Sequence, residues 1–289
     1  MRQFGFAAIV VGFLSVSATG QEAVTIKVGK PAAGDRIKTT KNEKMNSKLN
    51  LSIGGKADAK DSVESKAIVY TDEIITVTEG AGKPVKLKRT YEKYEVSKGG
   101  QALEAPPLNK AILIEKKDGK YTFTADDKPL DGPFATKLSA EFDRSTGTPG
   151  VDQLLPGKPV KAGDTWKIDV SKLPGLGGND SGLVVDAEAS DLTGKLVKTE
   201  KKSGKQYGVL EFTGNIAIKS LGEKSPLKLK PGAKMGLKMT AEACIDGTDP
   251  SSKMTGLLSI KMEGDGGGIS LSIVADGTIG ETNELLPKK

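Results

Sequence analysis

The chain has no histidine among its 289 residues, a single cysteine, and only 4% aromatic residues. Each scarcity excludes something. Without histidine there is no Ser-His-Asp or Cys-His nucleophile, no imidazole general base and no histidine-ligated metal site. With Cys244 alone, no intramolecular disulfide can form. So few aromatics argue against a sugar cleft and against a base-stacking platform. The basic residues are interspersed with acidic ones rather than clustered, so nucleic acid is not an expected partner. Carboxylate chemistry, lysine chemistry and oxygen-ligated Ca²⁺ or Mg²⁺ remain open.

Long apolar runs are also lacking, with one exception. Met1-Arg2-Gln3 is basic, Phe4 to Val16 is almost wholly apolar, and Ser15 to Gly20 is small and polar. That is the pattern of a signal peptide over residues 1–20, with an apolar run too short to span a bilayer. The expectation is therefore an exported protein, periplasmic or secreted, with no transmembrane segment in the mature chain. Removing those residues takes away only Arg2 among the charged groups and lowers the net charge from +6 to +5. A mildly basic, well-mixed surface of that kind is soluble and weakly attractive to anions.

What is present in quantity is strand pattern and turn chemistry. Leu49, Leu51 and Ile53 alternate with Lys48, Asn50 and Ser52 before Gly54-Gly55. Residues 56–61 are polar and read as loop; 62–78, rich in β-branched residues, read as strand, although the spacing of Ile68 and Ile75 also suits a helix. Val85, Leu87, Arg89 and Tyr91 share one parity, while Tyr94 and Val96 fall out of phase, which predicts a bulge near Glu92-Lys93. Asp118-Gly119 and residues 201–205 mark hairpins. Phe134, Thr136, Leu138, Ala140 and Phe142 also share a parity and read as extended. Residues 151–155 suit a single helical turn, and Val24 to Val28 a short first strand. Three clean runs close the chain. Met235 to Ile245, Met254 to Met262 and Ile269 to Ile279 each carry most of their apolar residues on one parity, the mark of an antiparallel meander with one mainly polar and one mainly apolar face.

The fold class is therefore all-β: a large antiparallel meander forming a curved half-barrel, barrel or sandwich, with few or no helices after the signal peptide. Residues 145–150 are a plausible seam, dividing a β-rich half, 21–149, from an antiparallel half, 150–289, packed on the first. Residues 173–182 form a glycine-rich loop.

The one tryptophan lies in Leu155-Pro156-Gly157-Lys158-Pro159-Val160-Lys161-Ala162-Gly163-Asp164-Thr165-Trp166. Pro156-Gly157 and Ala162-Gly163-Asp164 are turn signals, and Pro159 stops a helix from running through. Trp166, Ile168 and Val170 then alternate with Lys167 and Asp169. This stretch resembles a signature, L-P-x-x-P-V-x-x-G-D-x-W, of exported bacterial β-rich proteins of unknown function. No activity attaches to that resemblance, so it implies no functional residues. In architecture, a leader followed by a large antiparallel sheet is similar to LolA-like lipoprotein carriers, which would imply an apolar ligand.

Candidate site residues follow from the same stretch. Trp166, Asp164, Pro159 and Gly163 could form a pocket mouth, or Asp164 could cap the turn while Trp166 plugs the core. Asp246, Asp249, Asp265 and Asp276 lie among C-terminal glycines without calcium-loop spacing, and read as turn residues. Cys244 reads as an ordinary buried or half-buried thiol. No catalytic residue, metal ligand or cofactor is assigned. The reading is a non-enzymatic binding or structural module whose partner the sequence does not identify, the candidates being an apolar small molecule, a lipid or an envelope protein. The alternatives are a periplasmic carrier of an apolar ligand and a hydrolase using two facing carboxylates.

Overall fold

A computed structural model describes residues 22–78, 83–142, 151–173, 183–222 and 225–288. The expected signal peptide over residues 1–20, the expected seam at 145–150 and all but the first residue of the expected loop at 173–182 lie outside them. The strands are β1 (Arg36–Ile53), β2 (Lys56–Thr76), β3 (Lys86–Lys98), β4 (Gln101–Ala102), β5 (Ala111–Lys117), β6 (Lys120–Ala125) and β7 (Lys128–Pro129). A helix, α1 (Gly132–Phe142), follows. Then come β8 (Thr165–Lys167), β9 (Val184–Asp186), β10 (Thr193–Lys202), β11 (Lys205–Ser220), β12 (Lys228–Leu229), β13 (Lys234–Cys244), β14 (Ser252–Gly266) and β15 (Ile269–Leu286).

All fifteen strands join one antiparallel sheet, in the main order β7-β6-β5-β3-β2-β1-β15-β14-β13-β11-β10-β8. The sheet is open, so of the all-β architectures a half-barrel or sandwich fits and a closed barrel does not. The first and last strands meet at its centre, where β1 pairs with β15 over its whole length.

Several details follow the residue pattern. The β1–β2 turn is Gly54-Gly55, both at positive φ, as a two-residue hairpin requires. The β2–β3 ladder shifts register between Val69 and Tyr70 and leaves Glu92 without an opposite residue, which is the bulge near Glu92-Lys93. Residues 151–154 form one turn of 3₁₀ helix. Val24 and Lys27 make isolated bridges rather than a continuous strand.

Other segments differ from expectation as well. The alternation expected through Trp166, Ile168 and Val170 ends as strand at Lys167, and Val170–Lys172 is a turn of 3₁₀ helix. Residues 56–61 are not loop but the first part of β2, paired with β1 from Lys56 onward. Residues 134–142 are not extended. Pro133 occupies the first helical turn, where its missing N–H costs nothing, and Phe134, Leu138 and Phe142 fall on one helical face and are buried. A spacing of four residues satisfies both the strand parity and the helix period, so parity alone pointed the wrong way.

The cores lie on one face of the sheet. In one, α1 packs Phe134, Leu138 and Phe142 over Tyr70, Leu87, Tyr91, Ile112, Ile114 and Phe123. In the other, Ile26, Leu154, Val160, Ile168 and Leu173 cover Leu196, Leu210, Phe212, Ile216 and Met239. A smaller cluster of Ile218, Ala233 and Met262 adjoins Ile260 and Ile273.

Candidate functional site

The register shows which side chains share the core-side face in the middle of the sheet. Met45 lies opposite Gly277, Ser47 opposite Ala275, Leu49 opposite Ile273, Leu51 opposite Leu271 and Ile53 opposite Ile269. β14 continues this row with Leu258 beside Gly277 and Ile260 beside Ala275. The result is an apolar ladder along β1 and β15. At about 3.3 Å per residue, its length from Met45 to Ile53 is about 26 Å. Met45, Leu49, Leu51, Leu258, Ile269 and Leu271 are half-buried, and none belongs to any of the three cores. Ile53, at the tip, is 56% exposed. The opposite face of β1 carries Lys44, Asn46, Lys48 and Asn50, all exposed, with Val63, Leu257 and Val274 of the neighbouring strands exposed on that same face, while Lys60, Asp58 and Lys56 of β2 flank the ladder on its own face.

A polar band crosses the same face below the ladder. Thr39 donates to Asn283 Oδ1 at 2.8 Å. Lys41 pairs with Glu281 at 3.3 Å, and Lys66 with Glu43 at 2.7 Å. Burial alone would push the Lys41 ammonium down, but Tyr70, Glu281 and Glu141 together hold it well above the ordinary lysine range. Lys41 therefore stays charged.

Beside this band lies a buried arginine. Arg89 is 3% exposed and stands on the apolar parity of β3, between Leu87 and Tyr91. Its guanidinium grips Asp72 with two parallel bonds, Nε to Oδ1 at 2.7 Å and Nη2 to Oδ2 at 2.8 Å. Nη1 donates to Glu141 Oε1 at 2.8 Å, and the guanidinium carbon lies 3.9 Å from the centre of the Tyr70 ring. Burial opposes ionisation of Glu141, yet Arg89 outweighs it and draws the carboxyl below the ordinary carboxylate range. The whole arrangement ties the last turn of α1 to the sheet. Lys83 Nζ adds bonds to the Glu141 and Phe142 carbonyls at 2.6 and 3.1 Å. The sequence reading did not single out Arg89, although a charge on an apolar parity was a visible sign of a partnered buried group.

The residues that were singled out occupy the corner before β8. Trp166 is buried, donates Nε1–H to the Leu154 carbonyl at 2.8 Å, and meets Phe212 edge-on with centroids 6.3 Å apart. Its indole lies across Gly194, where an added Cβ would stand 2.3 Å from the ring. Asp164 is exposed and accepts the Lys161 N–H at 2.8 Å, closing its own turn. Gly163 is exposed at φ +94°, and its N–H donates to the Leu196 carbonyl at 2.7 Å. Pro159 is exposed. The four stand together at one corner, over the core that Trp166 fills.

The C-terminal aspartates are dispersed. Asp246 accepts from the Thr248 hydroxyl, the Gln206 N–H and the Cys244 thiol, which hold it far below the ordinary range. Asp249 pairs with Lys205 at 2.7 Å and Asp265 with Lys230 at 3.0 Å, while Asp276 is exposed. Cys244 is fully buried. Among the described residues no three or more Cys, Asp or Glu side chains are grouped to hold a metal ion, and no helix is long and apolar enough to cross a membrane.

No protein-family model matches this chain, and no curated protein matches it significantly. One solved structure, described as "Lipid-protein interactions in lipovitellin", aligns at 9% identity with a TM-score of 0.40. The alignment covers 89% of this chain and 26% of that one, so this chain spans about a quarter of its length. A likeness of that extent establishes neither a shared family nor a shared activity.

Proposed function

We propose that this is an exported, non-enzymatic binding protein that holds an amphiphile against the centre of its open sheet. The observation that carries the reading is the ladder of Leu49–Ile273, Leu51–Leu271 and Ile53–Ile269, apolar and half-covered except at the exposed Ile53, beside the charged band of Lys41, Glu281, Glu43 and Lys66. Burying such side chains is worth roughly 25 cal/mol per Å² of apolar surface removed from water, which gives an acyl chain a reason to lie along the ladder. The charged band supplies polar partners for a headgroup at one end. An apolar strip that ends in paired charges suits a molecule with one apolar and one polar part better than a wholly apolar one.

Native mass spectrometry of the purified protein, followed by organic extraction, tests the reading. The expected result is a stoichiometric adduct that extraction identifies as an amphiphile, lost in the Leu51→Lys, Leu271→Lys double variant. A clean apo mass, together with no uptake of a fluorescent fatty acid by the unaltered protein, overturns it.

A further inference from the structure

The upper part of β2 is a free sheet edge. Pairing with β3 stops at Glu64 opposite Lys98, and Lys56 to Asp61 beyond it are all exposed. The direction of the unused backbone groups is fixed by the last bond of that edge. The Val63 carbonyl turns outward to accept the Gly99 N–H at 2.9 Å. Along a strand alternate residues point their N–H and C=O to the same side, so Ala57, Ala59 and Asp61 also present theirs outward. Among the described residues nothing pairs with them, and Lys56, Asp58, Lys60 and Asp61 have no ion-pair partner. Such an edge is a template for another strand.

We propose that two copies of this chain pair through this edge, antiparallel about a two-fold axis at Ala59. The register follows from elimination. Outward-facing residues must meet outward-facing residues, which leaves a few alignments two residues apart. Placing Lys60 opposite its own copy would put Lys56 opposite Glu64, a position already taken by Lys98. Placing Asp58 opposite its own copy would also put Lys56 opposite Lys60, and like charges directly across a ladder are destabilising. Centring on Ala59 is the longest alignment left. It sets Asp58 opposite Lys60 twice by symmetry, Ala57 opposite Asp61, and Lys56 opposite Ser62. The two alanines at the axis carry no bulk to hold the strands apart. An alternating Lys/Asp edge would repel most strands and complements itself, which is what an isologous interface requires.

The axis is perpendicular to the sheet, so both copies keep the same face up, and the two ladders along β1 and β15 lie on one side of a continuous sheet. A pairing this short buries little surface, so the association is weak and rises with concentration.

Sedimentation velocity over a concentration series tests it, and the outcome does not depend on whether an amphiphile binds. The unaltered protein is expected to move from monomer to dimer as concentration rises, less so at high salt. Asp58→Lys places lysine opposite lysine and is expected to weaken the dimer about tenfold or more. The swap Asp58→Lys with Lys60→Asp restores the opposite charges and is expected to restore the dimer. A protein that stays monomeric throughout, a D58K variant that dimerises as well as the parent, or a swap that fails to recover would each overturn the proposal.

Discussion

Arg89 decides how α1 is held. A carboxylate in the last helical turn is disfavoured by the helix dipole, and Glu141 occupies that position. Arg89 and Lys83 offset the penalty from the sheet side. The consequence for pH has a definite sign. The folded protein holds the Glu141 carboxyl below its ordinary range, so the unfolded chain binds that proton more readily. Its contribution to stability is complete above the unfolded value and disappears as pH falls through the folded one. Urea midpoints measured between about pH 7 and about pH 2 should fall more steeply on the acid side for the parent than for Glu141→Gln, which has no such proton to bind. The difference is small, because 46% of the Glu141 side chain faces water. Equal acid limbs would show that Glu141 does not hold the helix. The sequence showed Arg89 on a core parity but could not show its partners, since Asp72 and Glu141 reach it from a neighbouring strand and from a helix far along the chain.

The elements of this protein were legible to different degrees, and the reasons are physical. The three closing strands could be read because each buries one face, which enforces a period of two. The hairpins at Asp118-Gly119 and Ser203-Gly204 could be read because positive φ restricts the residue types that fit. The start of β2 could not, because Lys56 to Asp61 are exposed on both faces and so carry no apolar period. Its strand state comes from its partner β1, not from its own composition. α1 was missed because residues four apart serve both geometries. That ambiguity has an experimental answer at Thr136, an exposed residue whose hydroxyl bonds back to the Gly132 carbonyl at 3.2 Å. In a helix, Thr136→Ala should raise stability by about 0.5 kcal/mol, since alanine is the better helix former and this back-bond adds little. In a strand the same change would lower it. Urea unfolding of the pair gives the sign.

At the scale of the whole molecule, two cores occupy one face of a single sheet and are separated by the polar band of Thr39, Lys41 and Glu43 with their partners. Apolar packing does not run continuously from one to the other, so a loss in one should stay there. Leu210 is fully buried in the core with Trp166, and Leu210→Ala should cost about 2–5 kcal/mol there. Hydrogen exchange is the measurement. Amides of β10, β11 and β13 should exchange faster in the variant, while those of Ile112 and Ile114 in the α1 core keep their protection. Faster exchange at both ends would mean that the central strands couple the cores as one cooperative unit.

The same division sorts the chromophores. The only tryptophan lies against Phe212 in one core, while four of the five tyrosines, Tyr70, Tyr91, Tyr94 and Tyr121, gather around α1 in the other. Each end of the sheet thus carries its own optical signature. Tryptophan emission follows the C-terminal end and near-ultraviolet tyrosine signals follow mainly the other, so the order in which the two ends come apart is written in two wavelengths without any label being attached.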